Sequence, residues 1–483
     1  MSREPRLSFD RCSSPFGKGV VLVSLVLVAL ATAVASAQPS APPAVTEAIV
    51  GATLLDVTDG GESTHDISDA VVLIRSGKIV AAGPASSVAV PPGAHVIDAH
   101  GKFLMPGLID GFGGMNSQAQ ANATLYMGVT TIVAISSDDR RGALLKDAKP
   151  APQIELMETA GVADESNILN DDPVWKAKLK EGPTLTELSR ADTDAQLDAL
   201  ARRHVRVILV WHSVTADNAK HIIARAHQLG LIAYGELIST PYVEALSFGV
   251  DSLLHMTRYE FGLLPPAIQQ PLVENPQNSR LNPAYQFLMK LDPNSAPVAA
   301  YAKQIRDAGV ALMPTFSLEY LGMPGHRNLW KEPAAGILDP KTLHTPPDPQ
   351  TGDAHFRSSD ARDGFFAFVA QFWAINETLE REHPLYLCAS GSSALGTMPG
   401  ISMHTELELL VRLGLTPREA LAAATNNYAD KFGWHDIGLI APGRRADLVV
   451  LDADPTVNIA NSRTIDAVFL GGELLDRAAL LRR

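Results

Sequence analysis

The run Phe103-Leu-Met-Pro-Gly-Leu-Ile-Asp-Gly-Phe-Gly-Gly114 divides the chain into two textures. An apolar segment meets a Pro-Gly turn, resumes as a short apolar strand, and ends at Asp110 ahead of a glycine-rich loop. Before it, from Ala48 to His100, short runs of Val, Ile and Leu are broken by turns such as Asp59-Gly60-Gly61 and Ser76-Gly77, with no helical period of useful length. After it, strand-like and helix-like segments alternate. That change of texture predicts an antiparallel region feeding the first strand of a parallel barrel.

Eight barrel strands are predicted: Phe103–Asp110, Val129–Ile135, Gln153–Thr159, Val205–Trp211, Leu231–Glu236, Asp251–His255, Val310–Phe316 and Leu385–Ala389. Most are nearly continuous apolar runs, as strands covered on both faces require. Between the fourth and fifth, Asp217 to Leu229 carries Ile222, Ile223, Ala226 and Leu229 on one helical face, and Gly230 stops it. After the eighth, Thr416-Pro417-Arg418-Glu419 combines an N-cap, a proline at the first helical position and a capping glutamate. The far end returns to strands, Ala446 to Asp452 and Ala467 to Gly472. Two β-rich ends around an α/β middle predict one discontinuous β-sandwich, residues 46–105 plus 436–483, enclosing a (β/α)8 TIM-like barrel over 106–435. Two insertions, Asp164 to Thr193 and Gly322 to Arg362, belong above the carboxyl ends of the strands, as substrate loops or as loose surface excursions.

The junction resembles the amidohydrolase superfamily, imidazolonepropionase-like members included, which read Pro-Gly-Leu-Ile-Asp-x-His-x-His at this point. Pro106 to Asp110 keep the pattern, and Gly438-Leu-Ile-Ala-Pro-Gly-Arg-Arg-Ala-Asp-Leu-Val-Val450 is a second shared signature. The resemblance implies hydrolysis of a C–N bond at the top of the barrel by water activated on divalent cations. It also shows where the ligands should be. Phe112 and Gly114 occupy the places of the paired histidines, and Val207 to Trp211 offers no lysine for the bridging position. Glu236 replaces a histidine, His255 retains one, and Ala389-Ser390-Gly391 lacks the family's strand-eight aspartate.

Three readings stay open on these residues. A weak, relocated divalent site could use His212, Glu236 and His255. Alternatively, no metal is involved: Glu236 and His255 form a carboxylate–imidazole pair that moves a proton, for hydrolysis or for an elimination or isomerisation. His404 then joins them in catalysis, while Phe112, His212 and Glu319 line the substrate site. The third is a barrel that binds a small molecule and catalyses nothing. No other cofactor is expected.

Charge and cysteine use narrow the setting. A net charge of −13 over 483 residues disfavours nucleic acid, which needs clustered cations. Arg3, Arg6, Arg11 and Lys18 precede the apolar run Val20 to Val34 and the small-residue site Ala35-Ser36-Ala37, so residues 1–37 read as an export signal leading to the periplasm or beyond. With the signal removed, no stable membrane span is expected. Cys12 would leave with it, so Cys388, in an apolar strand, could form no internal disulfide. Ser390-Gly391-Ser392-Ser393 does not have nucleophile-elbow spacing, and His221 and His227 read as solvated or packing residues.

Overall fold

The computed structural model describes residues 47–135, 137–138, 142–178, 185–275 and 281–482. The expected export signal, residues 1–37, lies outside the described residues. Two eight-stranded sheets organise the rest.

The first sheet joins both ends of the chain. Its order is Glu473–Leu474, Ile465–Leu470, Leu448–Leu451, Phe103–Pro106, Glu47–Leu54, Ile67–Arg75 and Lys78–Pro84, with His95–Asp98 pairing in parallel to Glu47–Leu54. The seam is Leu448–Leu451 antiparallel to Phe103–Pro106, where Leu448 faces Pro106 and Leu451 faces Phe103. Ile49, Val72, Leu104, Val450 and Phe469 bury their side chains together there, so neither end can complete this core alone. Hydrogen bonding links the expected layers into one sheet that branches at Glu47–Leu54.

The second sheet is the barrel. Its parallel strands follow chain order: Leu108–Gly113, Val129–Ile135, Gln153–Ala160, Val207–Val210, Ile232–Gly235, Ser252–Leu254, Ala311–Met313 and Leu385–Tyr386. Closure comes from backbone bonds between the first strand and the segment after the eighth: Gly111 N donates to Cys388 O (3.1 Å) and Gly391 N to Phe112 O (2.8 Å). The buried Asp110 carboxylate reinforces this seam by accepting from Ser390 N at 2.8 Å and from the Ser390 hydroxyl. Ile109, Val133, Met157, Leu209, Leu254 and Met313 fill the interior. At the amino-terminal mouth Trp434 is buried, with the Arg206 guanidinium 4.6 Å from its ring centroid.

The expected opening strand, Phe103–Asp110, is two strands rather than one. At Gly107 the chain leaves the terminal sheet and enters the barrel: Gly107 N donates to Asp447 O (2.8 Å), and Leu108 N donates to Gly128 O (3.0 Å). A β-carbon at 107 would stand 2.1 Å from Thr130 Oγ1, so the crossing needs glycine. The helix Ala216–Gln228 buries Ile222, Ile223 and Ala226 as its period requires, and Thr416 and Glu419 form a capping box. The insertion after the seventh strand is not loose. It makes three short 3₁₀ turns, Leu329–Lys331, Pro333–Ile337 and Pro340–Thr342, and Leu329, Ala335, Ile337 and Leu343 pack into the main core. The insertion after the third strand is pinned by a short ladder, Val162–Ala163 against Thr186–Glu187.

Candidate active site

Strands five, six and seven end in residues that turn into the barrel mouth. Glu236 follows the fifth strand directly and His255 the sixth. Their side chains meet, His255 Nε2 to Glu236 Oε2, at 3.8 Å, and both are buried. The pairing expected from the chain is therefore present. His255 adopts φ +62°, and Thr315, just past the seventh strand, adopts φ +49°. Two non-glycine residues in the left-handed region at adjacent strand ends are strain that the surrounding packing must hold.

Thr315 bears on which imidazole nitrogen carries the proton. Its hydroxyl donates to Pro314 O at 2.7 Å and lies 2.8 Å from His255 Nδ1. One hydroxyl has one proton to give, so His255 Nδ1–H is the donor in the second bond. In the neutral ring Nε2 then carries the lone pair, and it faces Glu236. The loop bearing Thr315 is itself held by Glu406, whose carboxyl accepts from Phe316 N (2.9 Å) and Ser317 N (2.7 Å). Complete burial raises the Glu406 pKa to about 8, against the pull of those donors.

Arg258 and Tyr285 belong to the site although the chain alone did not single them out. His255 caps the one-turn helix Met256–Tyr259, which brings Arg258 back over Glu236, Nε to Oε1 at 3.8 Å. Arg258 also donates a close hydrogen bond to the Tyr285 hydroxyl. Tyr285 is wedged edge-on among Phe261 and Phe368, so the guanidinium is fixed from behind. Burial alone would lower the Arg258 pKa, but Tyr285 and Glu236 outweigh it and raise it. The spacing His255-x-x-Arg258 on a strand-end turn was the available signal.

The other expected residues divide. Glu319 lies in the 3₁₀ turn Phe316–Gly322 past the seventh strand, buried, with its pKa raised to about 7 by burial against the opposing pull of Arg258. His212 packs its ring on Trp211 (centroids 4.5 Å apart), and burial holds its pKa below the ordinary value, with Glu236 opposing and Arg258 adding. Phe112 sets its ring edge against His255, centroids 5.2 Å apart at 89°. His404 is not brought to this group. Its Nε2 donates to Met127 O and its Nδ1 accepts from the Ser462 hydroxyl, both at 2.8 Å. Met127 precedes the second strand, at the amino-terminal end of the barrel, opposite the site. Burial pushes the His404 pKa down to about 3, as a packing residue with both nitrogens committed requires.

The Amidohydrolase family model matches residues 358–475. Adenine deaminase of Klebsiella pneumoniae is 45% identical over 75 residues, 16% of this chain and 11% of that protein. Imidazolonepropionase of Ruegeria pomeroyi is 35% identical over 109 residues, 21% of this chain and 27% of that protein. These curated relatives are thus matched over only about a tenth to a quarter of their own length. The structure of molinate hydrolase superposes with a TM-score of 0.60 at 17% identity, covering 90% of this chain and 95% of its own. A. niger ochratoxinase superposes with a TM-score of 0.57 at 15% identity, covering 90% and 96%. Residues 358–475 thus match the amidohydrolase family, and the chain as a whole has the fold of these solved structures.

The amidohydrolase fold implies a divalent metal centre at these strand ends, and the residues here do not fit one. Phe112 presents a benzyl group and Gly114 no side chain, while Ser390 is taken up by Asp110. His212, Glu236 and His255 do not make up for the loss. Thr315 engages His255 Nδ1, and a guanidinium already shares Glu236, so a divalent ion there would press against a fixed positive charge. Among the described residues no three His, Cys, Asp or Glu side chains are grouped to hold a metal ion. Cys388 is buried, and its pKa is raised by that burial, as expected of an inert thiol. Among the described residues no helix is long and apolar enough to cross a membrane.

Proposed function

We propose that this protein cleaves the C–N bond of an amide or cyclic amide at the barrel mouth, using an imidazole–carboxylate pair as the base. The observation that carries the reading is the placement of the His255 ring: Nδ1 lies 2.8 Å from the Thr315 hydroxyl, and Nε2 faces Glu236 across 3.8 Å. At that separation a substrate water can sit between the imidazole and the carboxylate. His255 Nε2 takes a proton from that water as its oxygen bonds to the carbonyl carbon. The Glu236 carboxylate, held by Arg258, stabilises the imidazolium that forms. As the C–N bond breaks, its electron pair goes to nitrogen, which takes the proton of the Glu319 carboxyl. The products are a carboxylic acid and an amine, and the proton on His255 returns to Glu319 through solvent. A pKa of about 7 suits Glu319 to both halves of that exchange. Relatives named imidazolonepropionase and neighbours named molinate hydrolase and ochratoxinase support a small-molecule substrate and a hydrolytic class.

We also propose that the protein works outside the cytoplasm, on the strength of the basic and apolar leader in residues 1–37. Amino-terminal sequencing of the periplasmic fraction should then begin at Gln38.

The catalytic reading is tested by assaying purified protein, with elemental analysis, on a panel of N-acyl amines and small lactams. Glu236→Gln and His255→Asn should each lose about a hundredfold or more in turnover. Unchanged turnover in Glu236→Gln refutes the assignment, and turnover that follows a stoichiometric bound metal transfers the reaction to that metal.

A further inference from the structure

A cavity of about 360 Å³ opens beside Glu319, and its chemistry differs from that of the charged cluster behind it. Leu318, Leu321, Pro346, Ala354, Phe356 and Phe365 make its walls, with Thr345 and His355 at the margin. Leu318 and Leu321 are buried on the same 3₁₀ turn that carries Glu319. Leu395, also in the lining, is one of the large apolar side chains left 44% exposed, so the cavity has an apolar lip as well as apolar walls. The volume lies at the low end of small-ligand pockets, room for one aromatic ring and a short chain. A larger cavity, about 820 Å³, shares Leu321, Ala354 and Phe356 with it and carries the polar residues His326, Asp353 and Arg362. The apolar recess thus adjoins a more polar cavity.

Glu319 is the acid among these walls. Arg258, which pulls on it electrostatically, is also drawn to Glu236, so that cation is shared between two carboxyl groups. A ligand nitrogen at the inner end of the cavity would give Glu319 a partner of its own. A ligand carboxylate would meet a like charge in a poorly solvated place.

We propose that this cavity holds the amine half of the substrate: an aryl or branched alkyl group bearing a nitrogen at its inner end, met by Glu319. This rests on the C–N cleavage reading and names the class of group that leaves. The bond broken lies between that nitrogen and an acyl carbon held over His255 and Glu236.

Binding of phenethylamine, phenylacetate and ethylamine to the full mature protein, by calorimetry in mildly alkaline buffer, tests the pocket without turnover. Phenethylamine should bind at least about tenfold more tightly than either of the others, one lacking the nitrogen and the other the ring. Glu319→Gln should erase the preference for the amine over the carboxylate. Ala354→Trp, on a half-buried wall position, should fill the recess and abolish phenethylamine binding, with circular dichroism showing an intact fold. His255→Asn should lose turnover yet bind phenethylamine like the wild type, which separates the two readings. Equal binding of amine and carboxylate, or unchanged phenethylamine binding in Ala354→Trp, overturns the pocket assignment even where amides are still cleaved. An absence of measurable phenethylamine binding overturns it too.

Discussion

Replacing Glu319 by glutamine should change how stability depends on pH, by an amount that follows from the burial of one carboxyl. The carboxyl titrates at about 7 in the folded protein against an ordinary value of 4.5, because burial disfavours its charged form more than Arg258 favours it. An acid whose folded pKa is raised contributes stability below its unfolded pKa, and that contribution is lost as pH rises through the folded one. The window here runs from 4.5 to about 7. A shift of this size amounts to about 3 kcal/mol in full, of which about 2.5 kcal/mol falls between about pH 5 and about pH 8. Glutamine keeps the shape and cannot titrate. Urea denaturation of wild type and Glu319→Gln at those two pH values isolates the term, since Glu406 and His404 titrate alike in both proteins. The variant should gain about 2.5 kcal/mol on the wild type over that interval. A difference between the two proteins that stays constant within about 0.5 kcal/mol would refute the burial of an uncompensated carboxyl at this position.

Three further outcomes follow from other contacts. Thr315→Val removes the acceptor for His255 Nδ1–H, so turnover should fall about tenfold to a hundredfold, with Thr315→Ser recovering most of it; nitrogen NMR of the imidazole should show the tautomer mixture shift. His404→Ala leaves Met127 O and the Ser462 hydroxyl without their partner inside a cavity, so the protein should lose about 2–4 kcal/mol on urea denaturation. Its turnover per folded molecule should stay at the wild-type level. Gly111→Ala would drive a β-carbon to 1.8 Å from Tyr428 Oη at the barrel seam and should cost about 3 kcal/mol or more in thermal melts. Adding Tyr428→Phe should return part of that loss, and no recovery would mean that the seam yields elsewhere.

Much of the architecture was legible in the chain because it rests on local patterns. Continuous apolar runs such as Val129–Ile135 marked covered strands, and the Thr416–Glu419 motif marked a helix start, as the capping box bears out. The matching β texture of the two ends pointed to the seam between Leu448–Leu451 and Phe103–Pro106. The places of Glu236 and His255 at strand ends were readable for the same reason, since a strand's end shows in its sequence. Phe112 and Gly114 where imidazoles would stand could be read directly as well, because a side chain without a donor cannot bind a metal in any fold.

What the chain could not decide is which polar groups meet across long separations in sequence. Arg258 is meaningful only because Tyr285, from another helix, holds it beside Glu236, and Thr315 only because it sits 60 residues from the ring whose proton it places. His404 looked like a partner of the site, yet the helix Ile401–Leu413 carries it to Met127 at the opposite mouth. Identity and period set the character of each strand and helix. The protonation state of a buried group depends on neighbours brought in from elsewhere, and those are assigned when the sheet closes at Gly111 and Gly391.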